Sequence, residues 1–292
     1  MRKKTPFLIL GVLLLLSLGC TITLPSIPLP EVPTLETGPM QEYREEIPLE
    51  TATETTVNIR IGVGELTLEP GDPETLFSGL FRTNVSAWVP TIVRETGRLT
   101  VEQPSVRGVP QPGAENEWEI RLAPRVPLRL RVTLGAARGR LDLTGLALTD
   151  LSIETGASDL TVRTAGPNPA TLERFLLRAG AANAEITGIG YLRPRRVSVE
   201  GGVGSLTLDF AGPWTESADI DIKAGVGSIT LRFPQDVGAR VLVEGNLGNI
   251  QADPEWRLSG STYVNKAYGT SPTTLNVTLL SGIGNVRIET SQ

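Results

Sequence analysis

The chain has 292 residues, of which 40% are hydrophobic, with 27 Lys and Arg against 32 Asp and Glu, no histidine and one cysteine. The acidic balance argues against nucleic acid as a partner, because nucleic-acid binding needs a basic surface. Without histidine, Ser-His and Cys-His nucleophile systems and the commonest transition-metal ligand are excluded, and one cysteine cannot form a disulfide within the chain.

Residues 1–19 have the layout of a secretory signal, in which three cations precede an uncharged apolar run, 7–18. The run is shorter than the about 20 residues that a membrane span needs. It ends in Ser-Leu-Gly-Cys at 17–20, which resembles the lipobox of bacterial lipoproteins, where the thiol is lipidated and the preceding peptide is removed. We therefore expect a lipid on Cys20 and an extracytoplasmic, membrane-anchored protein on the cell surface or the periplasmic face. An ordinary signal peptide with an incidental cysteine is the alternative.

The segment 20–45 is predicted to be a tether. It contains five prolines between 25 and 39, and proline at this density neither pairs into a sheet nor continues a helix. An extended chain of this kind rises by about 3.1 Å per residue, so it would hold the domain away from its anchor.

An internal repeat dominates the rest of the chain. A phrase of about twelve residues, written VSVEGGVGSLTL at 197–208, recurs with a period of about 22 residues and one late insertion. We number its positions 1 to 12. The eight copies begin at 57, 130, 151, 175, 197, 220, 241 and 277.

Two columns of the aligned copies contain small residues. Position 8 is Gly, Ala or Ser throughout, which predicts close packing of successive copies, whereas Gly replaced only by Asn at position 6 predicts a left-handed backbone. Apolar residues alternate on both sides, but the parity of the residues expected to face the core changes from Val199 and Val203 to Leu206 and Leu208, as one extra residue at a bend would produce. Position 6 therefore marks a predicted structural corner, at Gly62, Gly135, Gly156, Gly180, Gly202, Gly225, Asn246 and Gly282.

These patterns predict an all-β protein of stacked, β-solenoid-like repeats with about 22 residues per rung. Alternating charges at position 4 predict a ladder between rungs, formed by Glu154, Arg178, Glu200, Lys223 and Glu244. Repeated β-hairpins are the alternative geometry. Residues 46–128 are expected to form a β-rich N-terminal subdomain that covers one end of a repeat domain, 129–292, and the insertion 257–274 is expected to cover the other.

Three passages resemble the toast-rack family of bacterial envelope proteins and its relatives. Residues 76–103 followed by 116–146 are similar to the toast-rack N-terminal pattern, and 225–250 is similar to the glycine-and-strand rhythm of LiaF-type (cell-wall-active antibiotic response) and "putative adhesin" β domains. The resemblance implies a stacked-β, extracytoplasmic domain without an established catalytic role. LiaF-type proteins usually carry transmembrane helices, which this sequence lacks, so their regulatory role is not carried over.

Catalytic, cofactor-binding and metal-binding residues are not predicted. The Gly-x-Gly pairs precede strands rather than helices, so they do not form a phosphate loop, and Leu206 stands where a calcium β-roll has its aspartate. Asp219 and Asp221 share a face that is better read as a solvated acidic surface. The outward residues at positions 9, 11 and 13 are mixed in charge and rich in threonine, which is typical of a soluble β surface.

The predicted function is that of a non-enzymatic, lipid-anchored envelope protein with an adhesin-like or envelope-stress-associated scaffold role. Its expected partners are the membrane, through the lipid, and an envelope protein or glycan. Two alternatives remain open. A polysaccharide-active enzyme on a β-helix would need at least three charged side chains converging in one groove, and an extracytoplasmic sensor would bind a cell-wall-active compound.

Overall fold

A computed structural model describes residues 33–49, 53–245 and 247–291, and Thr34–Gln292 form one compact unit. The signal segment, Cys20, most of the predicted tether and Asn246 lie outside the described residues. Helix is confined, within those ranges, to one turn, α1 (Ile189–Leu192), and a 3-10 turn at Ser86–Trp88. The strands are β1 (Thr34–Leu35), β2 (Gln41–Pro48), β3 (Thr55–Pro70), β4 (Thr75–Thr83), β5 (Thr91–Glu95), β6 (Arg98–Glu102), β7 (Val109–Pro110), β8 (Asn116–Leu122), β9 (Leu128–Asp142), β10 (Leu148–Arg163), β11 (Arg174–Thr187), β12 (Arg196–Asp209), β13 (Ala218–Pro234), β14 (Gly238–Glu244), β15 (Ile250–Ala252), β16 (Arg257–Ser259), β17 (Thr262–Val264) and β18 (Thr274–Ser291).

The eight repeats form eight parallel rungs. Seven are long strands that run through the corner without a break, and the eighth is made of β14 and β15. In space the order is β3, β9, β10, β11, β12, β13, β18 and then β14 with β15. Equivalent positions lie side by side, as where Val203 pairs with Ala181 on one side and with Val226 on the other. The predicted stack of repeats is confirmed, and the hairpin alternative is wrong.

The corner arises from a change in which side chains face inward. In β12, Val197 and Val199 are buried before the corner, and Leu206 and Leu208 are buried after it. The parity shift was predicted, but the assignment of Val203 to the core was wrong, because this side chain is 59% exposed. Positions 6 and 7 both face outward, so the strand turns there and keeps both of its arms against one core.

The C-terminal strand is not at the end of the stack. β18 lies between β13 and β14 and is parallel to both, so the seventh repeat in sequence is the eighth in space. The insertion between them forms the antiparallel pair β16–β17, and β17 pairs with β14. The predicted cover at this end is therefore a short hairpin, which leaves less unpaired strand edge.

The opposite end is covered by strands from the N-terminal third of the chain. The first arm of β3 pairs with β6, which pairs with β5, and the second arm pairs with β8, which continues to β4 and β2. The sheet runs without interruption from β3 to β9, across the predicted boundary at 128/129. The compact unit begins at Thr34, so β1 and the start of β2 lie inside the segment predicted as a tether.

The core lies between the two arms and is closed by the loops that connect the rungs. Phe210 and Phe233 stack there with ring centroids 4.9 Å apart, and Trp256 lies 5.3 Å from Phe233. The buried amide of Asn168 ties adjacent loops together, since it accepts from the Leu148 amide and donates to the carbonyls of Leu148 and Leu192. No helix among the described residues is long and apolar enough to cross a membrane.

Candidate interaction surface at the corner

The glycines at position 6 stack in a continuous column because there is no room for a side chain. A Cβ on Gly202 would lie 2.5 Å from the carbonyl oxygen of Gly180, and one on Gly225 would lie 2.5 Å from that of Gly202. The same contact recurs at 2.2–2.9 Å at Gly135, Gly156, Gly180 and Gly282. Position 6 thus requires glycine because neighbouring backbones approach closely.

The left-handed backbone was assigned to the wrong column. None of the described position-6 glycines has a positive φ, whereas Gly204 and Gly227 at position 8 have φ of 137° and 143°. Gly64 and Gly284 share this conformation. The close packing predicted at position 8 is present, because a Cβ on Gly204 would lie 2.0 Å from the carbonyl oxygen of Ala182, but the positive φ predicted at position 6 occurs at position 8 instead.

Position 7 forms an exposed apolar row that we call the ridge. Its members, in spatial order, are Val63, Ala136, Ala157, Ala181, Val203, Val226, Ile283 and Leu247. Exposure reaches 49% at Val226, 56% at Ile283 and 77% at Leu247. Eight apolar side chains in one solvent-facing line are unusual on a soluble protein and are typical of an interaction surface. The signal was present in the sequence, but the inward parity assigned Val203, Val226 and Ala157 of this row to the core.

Position 4 forms a parallel row that we call the rail. In spatial order it consists of Arg60, Thr133, Glu154, Arg178, Glu200, Lys223, Leu280 and Glu244. Arg178 bonds Glu154 at 3.2 Å and Glu200 at 3.1 Å, and the hydrogen bond that Arg178 donates to Glu200 is the main reason that the pKa of Arg178 is raised. One predicted neighbour pair was wrong, because Leu280 separates Lys223 from Glu244.

A groove of about 1050 Å³ follows the rail along the corner. Four charged side chains line it, Glu154, Arg178, Glu200 and Lys223, together with the small residues at positions 5 and 6 of the same rungs. The groove therefore meets the count of charged groups expected for a β-helix enzyme. However, Arg178 binds the carboxylates of both Glu154 and Glu200, so the two acidic side chains of the groove are already engaged by a cation within the chain.

On the first rung, β6 pairs with the first arm of β3 and β8 pairs with the second, and a buried side chain bonds the backbone at the corner between them. Gln103 accepts hydrogen bonds from the amides of Gly62 at 2.8 Å and Val63 at 3.0 Å. Asn116 donates to the Val63 carbonyl and to Gln103, and it accepts from the indole of Trp118. This network ends the glycine column, and no repeat pattern pointed to it.

The outward face after the corner is occupied by local pairs. Glu65 binds Arg138 at 2.6 Å, Asn183 donates to Asp159 at 3.0 Å, and Arg232 binds Glu289 at 2.9 Å. Asp219 accepts from Asn276, at 3.4 Å. Across the part of the chain that the structure describes, no three Asp, Glu or Cys side chains lie close enough together to hold a metal ion.

The fold defines a class: an all-β domain of parallel bent rungs, covered at both ends by other strands, with an exposed corner. The chain belongs to the toast-rack family. The family model described as "N-terminal domain of toast_rack, DUF2154" matches residues 36–187 and 174–232, which is more than half of the sequence. The predicted resemblance is confirmed.

One solved structure supports the fold. A protein described as a "putative cell adhesion protein" from Clostridium sporogenes is similar at 21% identity and a TM-score of 0.51, covering 87% of this chain and 100% of its own. A "putative adhesin" from Parabacteroides merdae has 10% identity and a TM-score of 0.42, covering 86% and 97%. No curated protein matches this sequence.

Proposed function

We propose that the protein is a non-enzymatic, lipid-anchored module of the bacterial envelope that binds a partner through the corner face, in an adhesin-like or scaffold role. The corner face consists of the ridge, the rail and the groove. The ridge carries the proposal, because an unbroken row of exposed apolar residues costs solvation free energy unless something covers it. The names of the similar structures agree with an adhesin-like role.

The interaction can be tested in intact cells with a photo-cross-linking residue at position 226 of the full chain. Val226 is on the ridge, and Val93, on β5, is a matched control because it has a similar exposure of 47%. We expect a discrete adduct from position 226 and none from position 93. The same adducts from both positions, or none from position 226, would contradict the proposal.

The lipid anchor needs a separate experiment. Mass spectrometry of the mature protein should find Cys20 as the first residue, with a lipid on its sulfur. Cys20→Ala should abolish both the processing and the membrane fraction. A mature chain that begins elsewhere, or an unmodified thiol, would show that the protein is released rather than anchored.

The polysaccharide-active alternative is tested by turnover on a panel of linear glycans. We expect none, because Arg178 occupies both groove carboxylates. Turnover that disappears in both Glu154→Gln and Glu200→Gln, with Glu173→Gln as a control outside the groove, would replace the non-enzymatic assignment.

A further inference from the structure

The side chains of the ridge differ in size, and the small and large ones lie on different halves of the stack. The stack has eight rungs, and its midpoint lies between β11 and β12. On one side of the midpoint the ridge is small, with Ala181, Ala157 and Ala136 before Val63 at the end. On the other side it is large, with Val203, Val226, Ile283 and Leu247. At each distance from the midpoint, the ridge residue on the first side is smaller than the ridge residue on the other side.

The rail has a matching order in charge. Counting outward from the same midpoint, Arg178 corresponds to Glu200 and Glu154 corresponds to Lys223. The third step matches two neutral residues, Thr133 and Leu280, and the fourth matches Arg60 with Glu244. All three charged correspondences are therefore of opposite sign.

In a two-fold symmetric contact, a residue on one side of the midpoint meets the corresponding residue on the other side of the second copy. The order of sizes along the ridge and the order of charges along the rail both suit such a contact. We propose that a second copy of this chain binds the corner face, related by a two-fold axis that lies in the interface, runs parallel to the strands and passes between β11 and β12. Each row then meets the same row of the second copy with the rungs reversed. The inference rests on the proposed function, because it names the partner of the same surface.

In this arrangement large ridge residues pack against small ones. Val203 meets Ala181 of the second copy, Val226 meets Ala157, Ile283 meets Ala136 and Leu247 meets Val63. Arg178 meets Glu200 of the second copy, Glu154 meets Lys223 and Arg60 meets Glu244. The groove gives these long side chains room to cross between copies. Two copies with their stacks in the same direction would be related by an axis along the stack, which places either the ridge on itself, large on large, or the rail on itself, like charge on like charge, so that alignment is disfavoured.

Charge exchange between copies provides a sharp test. Arg178→Glu places two acidic side chains opposite each other, twice, in its symmetric dimer, and Glu200→Arg does the same with two basic ones. A mixed dimer of the two variants restores opposite charges at every rail contact. By native mass spectrometry of the full chain, we expect a dimer for the wild type, a dimer dissociation constant raised roughly tenfold or more for each variant alone, and a mixed dimer from their mixture. Arg195→Glu, on a connecting loop away from the corner, should leave the dimer unchanged.

The variants need a check on folding, because Arg178 also binds two carboxylates within its own chain. Each should keep the circular dichroism spectrum of the wild type. If either fails to fold, Val226→Asp decides, since it should give a monomer while Val93→Asp stays dimeric.

A monomeric wild type, or variants that stay dimeric alone and do not prefer each other, would overturn the inference. The cross-linking experiment tests the proposed function independently of the second copy. If the wild type is monomeric and position 226 still forms an adduct with another molecule in cells, only the second copy is eliminated as partner. If no adduct forms, both are overturned.

Discussion

At the scale of the residue, the glycine column makes a strong prediction at Gly202. A methyl group there would lie 2.5 Å from a backbone oxygen that cannot move without shifting a rung. We expect Gly202→Ala to lower the free energy of unfolding by about 2–3 kcal/mol, measured by denaturant titration. The neighbouring Gly201→Ala is the control, because its Cβ would meet nothing closer than 3.9 Å and its effect should stay within about 0.5 kcal/mol. Equal losses in the two variants would show that the column is not closely packed.

Gln103 carries the second prediction at this scale. Gln103→Ala leaves the amides of Gly62 and Val63 without their acceptor, so the free energy of unfolding should fall by about 1–3 kcal/mol. Gln103→Glu keeps an acceptor oxygen in place and should lose clearly less. If the two variants are equally stable in thermal or denaturant unfolding, Gln103 is not the group that ends the column.

The sequence was informative about where small residues occur and less so about why. Gly204, with its positive φ, and Gly202, with its close backbone contact, look alike in a sequence, because both select against a side chain. Val203, between them, was placed in the core by parity alone. The bend adds two consecutive outward residues, and a period-two pattern cannot say on which side of the glycine the extra residue falls.

At the scale of the element, Glu54 joins three rungs and makes their stability depend on pH. It precedes β3, and hydrogen bonds from Arg129 on β9 and from Thr149 on β10 hold the pKa of Glu54 below its ordinary value of 4.5. A carboxylate with a lowered pKa stabilises the folded state fully above 4.5 and loses this contribution as the pH falls through the folded-state pKa.

We therefore expect Glu54→Gln to destabilise the protein at neutral pH by no more than about 1 kcal/mol, since the pair is partly exposed. The difference between variant and wild type should shrink as the pH falls below 4.5. Unfolding curves at several pH values measure it, with Glu46→Gln on the exposed face of β2 as control. A difference that grows in acid would have the wrong sign for this account.

The order of the elements could not be read from the repeats. The period indicates that neighbouring copies stack, and this is true from β9 to β13. The 36-residue interval before the last copy is equally compatible with a longer loop or with a strand inserted between earlier ones. The structure has the second arrangement, which is why Glu244 and Lys223 were wrongly expected to be neighbours.

At the scale of the whole molecule, the unpaired strand edges at the two ends of the stack are covered in different ways. Strands from the N-terminal third cover β3, and the charged sequence of β2 makes the outermost edge a poor template for further pairing. At the other end, the inserted hairpin covers β14. The all-β class and the stacking could be predicted from the repeat. The corner face could not, because it depends on positions 4 and 7 both facing outward in parallel rows.

The central claim, that the rungs stack in parallel with β18 as the seventh, is tested most directly by spin-label distances in solution. One label replaces Glu65 on β3, and the second replaces Ser205, Ser228, Asn285 or Asn249, with an excess of unlabelled protein to remove contacts between copies. At about 4.8 Å per rung the distances should rise from about 19 Å to 24, 29 and about 34 Å in that order. A shorter distance to position 249 than to position 285 would mean that the repeats stack in sequence order, and it would contradict the account.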